Sequence, residues 1–172
     1  MITALSASMV MSLVGHVAPG PIQPGVALTH VAQQAAQDPS EYFLTSARLF
    51  KQGQRDEAVF WFYLGQLRLR AYVKAHPKLD PSGAPALLAS FMATMGPPIN
   101  QYAFGDVPAL NRTIDKVLAW DDEHPDPSTP KSRYSAERAS VRQGLMALRD
   151  TNLAQRDQIR AERTQHGLEN RE

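Results

Sequence analysis

The segment Phe50–Ala75, FKQGQRDEAVFWFYLGQLRLRAYVKA, constrains the fold more than any other part of the chain. Drawn as a helix, it places Ala58, Trp61, Phe62, Gly65, Leu69 and Tyr72 on one face. Val59, Phe60, Tyr63, Leu67 and Ala71 occupy much of the opposite face. A helix that is apolar on nearly every side must be buried on nearly every side. The segment is therefore expected to be the central rod of an all-α domain, an irregular bundle of about five to six helices. Gly53 stands where a left-handed residue would close the preceding helix, and Asp56 is placed to cap the next.

Proline and glycine punctuation sets out the other rods. Of 13 prolines, most fall in clusters at 19–24, 77–85, 97–98 and 125–130, which mark joints between helices. Asp38 and Pro39 form a helix start, and the helix that follows carries Tyr42, Phe43, Ala47 and Phe50 toward the central rod as far as Gln52. The central rod stops near His76, before Pro77. A third helix, Ala84 to Met95, offers Leu87, Leu88, Phe91, Met92 and Met95 at helical spacing and ends at Gly96-Pro97-Pro98. Ile99 to Phe104 reads as a short helix or turn. Val107 to about Glu123 then sets Leu110, Ile114, Val117, Leu118 and Trp120 at core spacing, with Pro108 in its first turn. The last helix, residues 134–165, carries Val141, Leu145 and Leu148 on its inner line. Its second half is mostly charged and is expected to project into solvent or wait for a partner.

The hairpin in the middle of this plan carries a resemblance. Phe50, Lys51, Gln52 and Gly53, then Asp56, Glu57 and Ala58, with Phe62 and Gly65 beyond, resemble the helix-turn-helix of a tetratricopeptide-type repeat over residues 42–75. The span is one family period of about 34 residues. A degenerate second copy at 102–125 ends in the same style, although its glycine and alanine offsets do not match the first. The resemblance implies a protein-binding scaffold and no reaction.

Residues 1–37 differ from the rest. No Asp, Glu, Lys or Arg occurs before Asp38, and Ile2 to Ala18 is mostly small and apolar. One reading is an export leader with an atypical start, lacking the usual basic residues. The other is an uncharged arm lying on a single helical domain that occupies 38–172. The balance favours export, with a periplasmic or secreted domain, over a cytoplasmic one. The apolar run is too short and too rich in Ser and Gly to span a membrane well.

Charge excludes some partners. The formal net charge of +1 provides no global field to recruit nucleic acid or membrane. There is no cysteine, so no disulfide and no thiol nucleophile. Gly-x-Ser-x-Gly elbows, phosphate loops and dinucleotide fingerprints are all absent from the sequence. Asp121, Asp122, Glu123, His124 and Asp126 form a compact acidic cluster, but the spacing is not that of a calcium loop and no second histidine completes a zinc pair. No metal and no cofactor are expected.

Two surfaces stand out as candidates. Arg142, Arg149, Arg156 and Arg163 recur every seven residues and, with Arg160, make a slowly turning stripe on the last helix. Tyr63, Arg68, Arg70 and Tyr102 are expected at the edge of a groove. Together these residues form the expected contact surface for another protein. The leading reading is thus a non-catalytic protein-binding helical protein. In a bacterial setting it would serve as an exported inhibitor of the immunity type, or as an adaptor. A hydrolase with a fold-assembled carboxylate or histidine site is the second reading, with Glu57, Asp106 and His124 as nominees. An anionic-polymer binder using the arginine stripe is the third.

Overall fold

A computed structural model describes residues 40–172, and the described residues form seven α-helices joined by short connections. These are α1 (Glu41–Lys51), α2 (Arg55–Ala75), α3 (Ala84–Thr94), α4 (Gly96–Ala103), α5 (Val107–Glu123), α6 (Lys131–Ala154) and α7 (Arg156–Gln165). No strand occurs among the described residues. The protein is an all-α bundle. What was expected of residues 1–37, and the helix start at Asp38-Pro39, lies outside the described residues.

The apolar-all-round segment is α2, and α1, α3, α4, α5 and α6 all pack against it. Trp61, Phe62, Tyr63 and Leu64 in its middle are all buried. α1 reaches α2 through a tight reversal. Gly53 adopts φ +83°, its N–H donates to Phe50 O at 3.2 Å, and the Gln54 N–H donates to Leu49 O at 3.0 Å. That pair of bonds satisfies carbonyls the helix end would otherwise leave open, in a conformation that favours glycine. The two helices then approach closely because α2 carries Gly65 opposite Tyr42 and Phe43. A Cβ at Gly65 would stand 3.0 Å from Tyr42 Cβ and 3.1 Å from the Phe43 ring. Around this contact Tyr42 stacks with Trp61, and Phe43 meets Phe62 edge-on and Phe91 of α3 face-on at 4.3 Å.

Three boundaries differ from expectation, each for a local reason. Gly96-Pro97-Pro98 not only ends α3 but opens α4, with proline in the first turn where a missing N–H leaves no bond unmade. α6 begins at Lys131, straight after Pro130, and restarts through a kink at Tyr134 (φ −124°, ψ 36°). The long last helix is broken at Gln155 (φ −106°, ψ 13°), so α7 is a separate rod. α5 starts as expected: the Asp106 carboxylate accepts from the Ala109 N–H at 2.8 Å, with proline in the first turn.

Candidate functional site

Three arginines and two aspartates meet inside the bundle. Arg68 of α2 donates from Nε to Asp121 Oδ1 at 3.1 Å; Arg138 and Arg142 of α6 donate to Asp121 Oδ2 at 2.8 and 3.0 Å. The remaining Arg68 nitrogens reach the Tyr42 hydroxyl at 2.8 Å and the His124 carbonyl at 2.6 Å. Its guanidinium lies 4.8 Å from the Trp120 ring centroid. Arg138 also donates to Thr129, whose hydroxyl donates to Asp126 at 2.5 Å. Burial raises the Tyr42 pKa, against the lowering effect of Arg68. The space between these groups is filled, with no room for a water molecule. A cluster packed this tightly ties α2, α5, the 124–130 turn and α6 together; it does not admit a substrate.

Arg68, expected at a groove edge, is therefore interior. Its position on α2 turns it toward α5, about 160° round the helix from Arg70 (two residues at about 100° each). The arginine stripe is likewise not a free surface. Arg142 is bound to Asp121 and also donates to Asp122 at 2.7 Å. Arg149 pairs with Asp115 at 2.7 Å and with neighbouring Asp150. Arg156 and Arg160 both pair with Glu172, and Arg163 donates to the carbonyls of Gln101 and Glu169. The half of the last helix that was expected to project or wait is instead held against the α4–α5 turn. The break at Gln155 redirects it, and Gly105, lacking a Cβ, leaves room for Arg163 and Arg171, which lie 3.0–3.1 Å from where that atom would be.

Of the other expected groove residues, Tyr63 and Arg70 line one groove, and Tyr102 lines a separate cleft. Tyr63 is 3% exposed, its hydroxyl donating to Asn100 Oδ1 at 3.1 Å, and burial drives its pKa well up. Tyr102 stands on a different face, donating to Asp56 at 2.8 Å. The hydrolase nominees do not converge either. Asp106 caps the start of α5, and His124 follows its end, stacked on Trp120 at 4.0 Å, so the length of α5, about 25 Å at 1.5 Å per residue, lies between them. Among the described residues no group of His, Asp or Glu is arranged to hold a metal ion.

The groove at Tyr63 and Arg70 is about 570 Å³ and runs between α2, α3 and α6; what sequence reasoning missed is that its walls are apolar and come from α3 and α6. Tyr63, Leu67 and Val73 make its floor, Leu88 one wall, and Val141, Leu145 and Leu148 the other. Gly144 opens onto it: a Cβ there would touch nothing within 4 Å. α3 is the reason the groove stays open. Its sequence APALLASFMAT contains no charged residue, yet none of its side chains is buried, and Leu87 is 38% exposed. The rim is basic. Arg70 is exposed with no partner among the described residues, Lys74 donates to Ser140 at 2.5 Å, and no carboxylate lines the groove. The signal was present in the apolar composition of α3, but only the arrangement of its neighbours shows that the described residues leave the face uncovered.

No helix of the described residues is long and apolar enough to cross a membrane. No family model matches the chain, and no solved structure matches it. The chain is 35% identical over 92 residues to a protein of Haemophilus influenzae described as uncharacterized. That similarity covers 51% of this chain and 34% of the relative, so the chain spans about a third of the length of the protein it matches.

Proposed function

We propose that the chain is a non-catalytic, protein-binding helical scaffold, and that its docking surface is the groove between α2, α3 and α6. The occupant is an amphipathic helix of another protein, apolar on one face and acidic along its flanks. The observation that carries this reading is the groove itself: an apolar floor and walls beneath a rim holding Arg70 and Lys74 and no acid. The floor from Tyr63 to Lys74 is about 17 Å long at 1.5 Å per residue, room for anchors spaced i, i+3, i+4 and i+7. An apolar face of this extent, left open by the described residues, favours association. The likeness of α1 and α2 to a tetratricopeptide-type hairpin supports the same reading. An exported inhibitor or adaptor of a bacterial envelope is the setting in which such a scaffold would act.

Capture from the source cell with zero-length carboxylate–amine crosslinking tests the proposal. The native chain should crosslink through Lys74 to an acidic side chain of a partner. Gly144→Leu, which fills the groove, and Leu145→Glu, which charges its wall, should abolish that crosslink while each variant still unfolds cooperatively, with the midpoint not lowered in Gly144→Leu. A partner captured equally by both variants would overturn the assignment. So would a crosslink to a second copy of this chain, or a groove that becomes reactive only when residues 2–18 are removed.

A further inference from the structure

On another face, the N-terminal turn of α2, the end of α4, α5 and the C-terminal tail enclose a cleft of about 170 Å³. Val59, Ala103 and Leu110 supply its apolar floor, and Arg112, Lys116 and Arg171 its cations. We propose that this cleft binds a phosphate monoester dianion of a small molecule, held by Arg112, Lys116 and Arg171.

Three observations carry the proposal. First, the charges are uncompensated. None of the three cations takes part in an ion pair among the described residues. The nearby acids are already committed: Asp56 accepts from the Tyr102 hydroxyl, Asp115 accepts from Arg149, and Asp106 caps α5. Three cations against the single carboxylate lining the cleft leave two positive charges, which matches a dianion better than one carboxylate group.

Second, one of the cations is held in place. Arg171 lies 3.5 Å over the Tyr102 ring, donates from Nη2 to the Tyr102 carbonyl at 2.8 Å, and is anchored by its own N–H to Gly105 O at 2.7 Å. Arg112 and Lys116 stand one turn apart on α5, where like charges repel unless an anion lies between them. Third, Thr113 lines the cleft and its hydroxyl has no hydrogen-bond partner among the described residues, leaving a neutral donor for a third phosphoryl oxygen.

Titration of the full chain at low salt with phenyl phosphate, inorganic phosphate and benzoate, followed by amide chemical shifts, tests this. Phenyl phosphate should bind saturably, shift Ala109–Lys116 and Tyr102, and outbind benzoate, the monoanion on the same ring, by about tenfold. Inorganic phosphate should shift the same amides more weakly, because it leaves the apolar floor uncovered. The double variant Arg112→Ala/Lys116→Ala should lose at least about tenfold in affinity, whereas Arg112→Lys/Lys116→Arg, which keeps both charges, should retain most of it. Phenyl phosphate that fails to saturate, binds no tighter than benzoate, or binds the alanine double variant as well as the native chain would overturn the site. None of these outcomes bears on the groove between α2, α3 and α6, which shares no residue with the cleft.

Discussion

Arg68 and Asp121 are 53 residues apart in sequence and meet at 3.1 Å with side chains only 5% and 2% exposed. The aspartate also receives Arg138 and Arg142, so one buried carboxylate is the common acceptor for two helices that would otherwise bring like charges together. The carboxylate is the shared member, and removing it leaves the three guanidinium groups without their common acceptor in a poorly solvated interior.

Asp121→Ala should therefore destabilise the fold by about 3–5 kcal/mol, because three guanidinium groups lose their shared acceptor. Asp122 is the contrast. It is adjacent in sequence and also pairs with Arg142, but its side chain is 52% exposed. Asp122→Ala should change stability by less than about 1 kcal/mol. Urea denaturation of both variants checks the difference, and comparable losses at the two positions would show that the interior cluster is not the clamp described.

Two glycines inside helices should respond oppositely to alanine. Gly65→Ala places a Cβ 3.0 Å from Tyr42 Cβ, so α1 must shift, and overpacking of this kind costs about 1–3 kcal/mol. Gly144→Ala meets nothing and gains helix propensity, stabilising by about 0.5–1 kcal/mol. Thermal midpoints should move down for the first and up for the second.

The same contrast shows what the sequence revealed and what it could not. The central rod was legible because Trp61, Phe62, Tyr63 and Leu64 leave it no polar face, and Gly53 marked the hairpin because the reversal needs positive φ. Proline marked the joints, but the double proline after Gly96 both stops α3 and starts α4, a dual role that position alone does not reveal. The break at Gln155 has neither glycine nor proline to announce it. The sequence puts Arg68 at the groove edge beside Tyr63 and Arg70, but its angle on α2 aims it at an acid on α5. A seven-residue arginine period says that side chains align. It cannot say that Asp121, Asp115 and Glu172 lie opposite to receive them.

The tail that holds α7 should release it in acid. Burial would raise the Glu172 pKa, but hydrogen bonds from Arg156 and the Val107 N–H outweigh that effect and hold the carboxyl below its usual value. A depressed carboxylate contributes stability above its unfolded pKa, about 4.3 for glutamate. That contribution is lost as pH falls through the lower folded value. α7 amides should thus lose hydrogen-exchange protection below about pH 4 while α2 amides keep theirs. Glu172→Gln should remove the pH-dependent difference. Uniform loss of protection along the chain would mean that the tail is not a separate latch.

α3 should be the least protected helix beside the core, and the one that reports on the groove. Local opening requires only the contacts of the opening segment to be lost, and α3 has no buried side chain, with Phe91 on Phe43 as its main anchor. Its amides should exchange through openings well below the global unfolding free energy, whereas those around Trp61 should require global unfolding. Leu87→Ser, on the exposed side, should alter stability by less than about 0.5 kcal/mol. A helix seated against Leu88, Val141 and Leu145 would cover α3 from its open side and slow exchange there first. If α3 is already as protected as α2 in the isolated chain, the groove is closed in solution and cannot serve as the docking surface. If instead its protection rises only in the presence of a captured partner, and fails to rise in Gly144→Leu, the open helix and the docking surface are the same feature.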